Sequence, residues 1–157
     1  MNNIKIKMIT MTIFALFLTI GCDDSPTGNT TPESATISGT ITFTGTWPTE
    51  GSVAVSLSSN WPPQGAPAAS LTITSSDTYS YTFDNVTFGT YGAIAVSWID
   101  SEDENPATNQ HILGSYGGTA DYVYGPYYNP TSITVSDTLY SLTGIDFTAD
   151  LSLAVSQ

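Results

Sequence analysis

The chain has 157 residues, a formal net charge of −12, and 14 acidic residues against two basic ones. So little positive charge leaves almost nothing to neutralise phosphates, which excludes electrostatic binding of nucleic acid and attraction to anionic headgroups. One cysteine excludes a disulfide within the chain, and one histidine leaves little material for zinc or nucleophilic chemistry.

The two basic residues, Lys5 and Lys7, precede an uncharged apolar run over residues 8–20. A short basic stretch followed by an apolar one is the pattern of a secretory signal, and this run falls short of the about 20 residues a spanning helix needs. The run ends at Cys22, the lone cysteine. Thr19-Ile20-Gly21-Cys22 resembles the bacterial lipobox, in which a small residue precedes a cysteine that is lipidated and becomes the mature N-terminus. Here Thr19 stands where that motif usually has Leu, with Leu18 one place earlier. The resemblance implies that residues 1–21 are a lipoprotein signal peptide, that Cys22 carries the lipid, and that the protein is anchored to a membrane of the bacterial cell envelope, outside the cytoplasm. Both lysines leave with the signal, so the mature chain keeps every acidic residue and has no Lys or Arg.

Residues 22–35 hold no bulky apolar side chain and read as a flexible tether. Residues 36–157 are enough for one domain with a single core. Their signal is alternation with period two. Ile37, Ile41 and Phe43 alternate with Ser and Thr, as do Val53, Val55 and Leu57, then Leu71 and Ile73. Tyr79, Tyr81 and Phe83 share a side, as do Ile94, Val96 and Trp98, then Ile133 and Val135. The last run sets Ile145, Phe147, Ala149, Leu151, Leu153 and Val155 on one face. About seven strands between Gly, Pro, Asn and Asp turns predict an all-β fold, a single antiparallel β-sandwich.

The segments ISGTITFTG (37–45), GSVAVSL (51–57) and YTFDNVTFGTYGAIAV (81–96) resemble the carboxypeptidase regulatory-like or transthyretin-like sandwich, over roughly residues 36–98. The resemblance implies that Phe83, Val86 and Tyr91 plug the core while Gly89 makes a turn. It also implies an accessory, adhesive or spacer role and no activity, because such motifs are structural. The lysine-to-asparagine isopeptide crosslink of some surface sandwiches is chemically unavailable, since the domain has no lysine.

Catalysis by a Ser-His-Asp group would have to run through His111 alone, and the Gly-x-Ser-x-Gly elbow is absent. A carboxylate-dependent hydrolase is the alternative, drawing on Asp84, Asp100, Asp146 and Asp150 if two of them meet in a cleft. The densest chemical cluster is WIDSEDENPATN (98–109), where Asp100, Glu102, Asp103, Glu104 and Asn105 follow Trp98. In an extended loop Asp100, Glu102 and Glu104 would point the same way, and calcium is the cation such oxygens suit. The spacing is not that of an EF-hand, and the other reading is a solvated acidic loop that blunts a strand end. Aromatic residues form a second group: Tyr122, Tyr124, Tyr127 and Tyr128, with Trp47 and Trp61 in Trp-Pro loops. Exposed rings on a rigid domain stack on sugars or on an envelope protein, while inward-facing ones cap a core. The sequence thus predicts a non-catalytic, lipid-anchored domain with a binding or structural role.

Overall fold

The computed structural model describes residues 31–106, 108–121 and 125–154. Cys22, the signal segment, residues 22–30 of the tether, Tyr122, Tyr124 and Val155 lie outside the described residues. The described part is all-β, with twelve strands: β1 (Ala35–Thr44), β2 (Ser52–Ser58), β3 (Ala69–Ile73), β4 (Thr78–Val86), β5 (Gly89–Tyr91), β6 (Ala93–Ile99), β7 (Gln110–Ser115), β8 (Thr119–Asp121), β9 (Gly125–Tyr128), β10 (Ile133–Val135), β11 (Ser141–Leu142) and β12 (Phe147–Asp150).

Two four-stranded sheets and two pairs result. One sheet runs β3-β2-β6-β7, all antiparallel. The other is built on β1, which pairs antiparallel with β4 on one side and parallel with β11 and then β12 on the other. β5 pairs with β10, and β8 with β9. The expectation of about seven antiparallel strands is therefore corrected twice. Short segments such as β5, β10 and β11 are strands in their own right, and the β1 sheet is mixed because the last part of the chain returns alongside β1 in the same direction.

That return explains Gly39. Between β11 and β12 the chain stays beside β1, with the Ile145 N–H donating to the Ser38 carbonyl at 3.1 Å and the Thr40 N–H donating to Asp146 Oδ1 at 2.7 Å. A Cβ on Gly39 would lie 2.0 Å from the Ile145 carbonyl oxygen, so only glycine lets the two backbones meet. The Tyr81 hydroxyl donates to the same carbonyl at 2.7 Å, and burial, then the nearby charge of Asp146, holds its pKa well above the usual tyrosine range. Tyr81 is thus a structural clamp.

The final alternating run does not continue as one strand. β12 stops at Asp150, whose Oδ1 accepts from the Ser152 N–H at 2.9 Å and its hydroxyl at 2.7 Å, and residues Leu151–Leu153 turn into a 3-10 helix. Leu151 still reaches the core, but from a turn. Gly89 heads β5 and does not centre the reversal, whereas Phe83, Val86 and Tyr91 are buried as expected.

A single cluster of buried side chains draws on both large sheets: Ile37, Ile41 and Phe43 of β1 meet Val53, Val55 and Leu57 of β2 and Ile94, Val96 and Trp98 of β6. β7 comes so close to β12 that a Cβ on Gly114 would lie 2.3 Å from the Thr148 carbonyl oxygen.

β1 spans about 30 Å at the usual rise per residue and gives this domain two ends. At the entry end lie Ala35, its partner Val86, the loop of residues 59–68 after β2, and the turn of residues 136–140. At the opposite end lie Thr44, the loop into β2, and the loop of residues 100–109 after β6, whose last residue Ile99 pairs with Ser52.

Candidate functional site

The acidic loop is held first by its strand. Trp98 is buried at the end of β6, its indole N–H donating to the Glu50 carbonyl at 2.8 Å, and its ring lies 5.2 Å from that of His111, its partner on β7. The Asp100 N–H donates to the Asn109 carbonyl at 2.9 Å and closes the loop one residue beyond the ladder.

Inside it the carboxylates serve the backbone. Asp100 is buried and its Oδ1 accepts from the Glu102 N–H at 2.9 Å. Asp103 Oδ1 accepts from the Asn105 N–H at 2.9 Å, and its Oδ2 accepts from the Thr108 hydroxyl at 2.6 Å. These are two consecutive Asx turns, in which a side-chain oxygen takes the place of a backbone acceptor. The Thr108 hydroxyl bond and the Asn105 N–H together hold the Asp103 carboxyl below the usual range.

The loop is therefore not extended, which removes the premise that Asp100, Glu102 and Glu104 point the same way. Glu102, Glu104 and Asn105 are exposed, while Asp100 is turned in. Among the described residues no three acidic or histidine side chains converge as a metal ligand set. The structure brings together a different group: Glu50, Asp100 and Glu102 line one surface depression of about 280 Å³ with Trp98 and Pro48. Glu50 was not visible as part of the loop because it lies far upstream in the sequence, and Thr108 because no spacing rule marks an Asp partner five residues on.

The other candidate carboxylates are dispersed. Asp84 accepts from the Thr36 hydroxyl at 3.4 Å, Asp146 from the Thr40 N–H, and Asp150 caps the terminal turn beside Thr44. Those three levels on β1 are about 13 Å apart in succession, so Asp84, Asp146 and Asp150 do not share a cleft.

Of the aromatic candidates, Trp47 is half-buried on Phe43, with ring centroids 4.8 Å apart, and its indole N–H donates to the Ser76 carbonyl at 3.2 Å. It also lines a shallow depression of about 240 Å³ with Pro48, Val53 and Ile73. Trp61 is half-buried in the loop of residues 59–68, where the backbone of Asn60 and Trp61 passes so near Gly92 that a Cβ there would lie 2.7 Å away. Tyr127 and Tyr128 belong to β9. Trp47 and Trp61 thus lie at opposite ends of the domain.

No protein-family model, curated protein or solved structure matches this chain.

Proposed function

We propose that the protein is a lipoprotein of the bacterial cell envelope, lipidated at Cys22, whose domain is an accessory β-sandwich of the carboxypeptidase regulatory-like or transthyretin-like kind with a binding or structural role. The observation that carries this reading is the lone cysteine at the end of a basic-then-apolar leader, after which the chain has no further Lys or Arg. Support for the sandwich comes from the single core drawn from both large sheets. Support for a non-catalytic role comes from the duties already taken by the polar groups: Asp100 and Asp103 order a loop, Asp146 completes a strand ladder, and Asp150 caps a turn. The partner class that suits such a domain is a glycan or an envelope protein.

Changing Cys22→Ser tests the anchor. In a bacterial host the variant is expected to leave the membrane fraction and to lose incorporation of labelled fatty acid. Unchanged membrane association would overturn the reading.

As a second reading we propose calcium beside the loop after Trp98, on the single observation that Glu50, Asp100 and Glu102 line one depression there. Binding to the folded state would add about 2.7 kcal/mol of stability at a hundredfold excess over the dissociation constant. Sodium at equal ionic strength is the control, because screening of like charges also stabilises an acidic domain. If calcium adds nothing beyond sodium, or if Asp100→Ala with Glu102→Ala leaves its effect intact, the loop binds no calcium.

A further inference from the structure

The two ends of the domain differ in charge and in greasiness. Acidic residues gather at the end remote from chain entry, where Glu50, Asp77 and Asp150 join the loop that carries Asp100, Glu102, Asp103 and Glu104. The entry end carries the loop of residues 59–68, SNWPPQGAPA, with no charged residue in it. It also carries Leu139 and Tyr140, 47% and 46% exposed, the large apolar side chains that stand out into solvent among the described residues.

Leu139 and Tyr140 are held in place. Ser136 and Leu139 exchange backbone hydrogen bonds at 3.0 and 3.1 Å, making a tight turn, and the Tyr140 carbonyl accepts from the Thr36 N–H at 2.8 Å. The projecting pair is therefore tied to the start of β1, the point at which the chain comes in. Trp61, Pro62 and Pro63 sit at the same end in a loop pinned by the Gly92 N–H, which donates to the Ser58 carbonyl at 2.9 Å.

We propose that this end of the domain rests on the surface of the bilayer that holds the lipid on Cys22, with Leu139 and Tyr140 inserted among the headgroups and the acidic end turned to the aqueous side. The proposal builds on the lipid-anchor reading. Even fully extended, the stretch from residue 22 to residue 35 reaches at most about 45 Å, so the anchor holds the domain within reach of the membrane surface, and the apolar character of the entry end selects which end meets it. Tyrosine and tryptophan suit the interface, since the ring is apolar and the hydroxyl or indole N–H stays wet. The acidic residues of the entry end, Glu33, Asp84 and Asp137, commit the surface to zwitterionic lipid, because an anionic one would repel them. Hydration favours the same orientation, because pressing the acid-rich pole against the headgroups would strip water from its carboxylates.

The test uses the full lipidated chain in phosphatidylcholine vesicles, with and without brominated acyl chains as a fluorescence quencher. Lipidation consumes the one natural thiol, so Leu139→Cys or Thr49→Cys takes a single environment-sensitive label, at the entry end or the opposite end. The label at 139 is expected to shift to the blue and to lose emission in brominated vesicles, while the label at 49 does neither. Adding Tyr140→Asp to Leu139→Cys should reverse the quenching, and the exposure of both side chains in the native fold spares the core. A chain that floats with the vesicles yet shows no quenching at 139, or equal quenching at both labels, overturns the docking proposal alone. A chain that fails to float overturns the anchor reading and the docking proposal with it.

Discussion

β1 and β6 are both long strands at the heart of their sheets, yet they present opposite relations to solvent. On β1 the inward residues Ile37, Ile41 and Phe43 are buried, while Thr42 and Thr44 between and beyond them are exposed. On β6 the residues facing the common core, Ile94, Val96 and Trp98, are buried, and so are Ala93, Ala95 and Ser97 on the reverse side, at 0–3% exposure. The difference teaches that alternation in sequence marks one dry face but does not say whether the other is wet. A face of small residues is cheap to cover, because Ala and Ser fill little space and lose little side-chain entropy on burial. Its neighbours Ser56 and Ser58 on β2 and Ser115 on β7 are buried in the same way.

Truncation on the shared dry face should have the largest effect. Ile37 is fully buried and sits where β4 and β11 meet β1, so Ile37→Ala is expected to lower the unfolding free energy by about 2–5 kcal/mol. Urea denaturation at an unchanged m-value reads this directly. A loss below about 1 kcal/mol would mean that the β1 sheet does not contribute to the core as described.

Enlargement on the reverse side of β6 separates the two strands. Ala95 lies between Ser56 and Ser115 on the neighbouring strands, and all three are buried. Ala95→Leu should cost about 1–3 kcal/mol through overpacking. The matching change on β1, Thr42→Val, falls among exposed Thr78 and Thr148 and should move stability by less than about 0.5 kcal/mol in either direction. Equal tolerance at both positions would show that the second face of β6 is open and would dissolve the contrast.

The same contrast explains which parts of the fold could be read from the residues. β1, β2 and β4 declare themselves because each has Thr or Ser between apolar side chains. β7 does not, since a bulge opposite Val96 and Ser97 brings Leu113 into the core beside Gly114 and breaks the period. The residues from Ile145 to Leu153 keep the period of a strand, but a side-chain cap at Asp150 and the close approach of Ile145 to Gly39 override it, and both depend on contacts with partners elsewhere in the chain or on a single carboxylate. At the candidate site the cluster of carboxylates was legible by composition. Its geometry was not, because the turn bonds of Asp100 and Asp103 fold the loop back and leave Glu50, from another loop, beside it.

The smallest effect expected is local to the loop that follows β6, and it concerns Asp103. Its carboxyl is held below the ordinary range first by the Thr108 hydroxyl and then by the Asn105 N–H, with a further contribution from the charge of His111 and an opposing one from desolvation. A carboxyl lowered on folding contributes order that is present above the unfolded value, about 3.9, and is lost as the pH falls through the folded one. Acidification should therefore loosen residues 103–108 while the β6 ladder keeps its protection, because Asp103 lies outside it. Thr108→Val removes the larger cause and should move the Asp103 midpoint up toward that of a free aspartate in a carbon-13 carboxyl titration, whereas Thr108→Ser keeps the hydroxyl and should hold it down. An unchanged midpoint in Thr108→Val would mean that the hydroxyl bond is not formed in solution. A midpoint raised equally in Thr108→Ser would point to the lost methyl, not the lost hydroxyl, as what holds the turn.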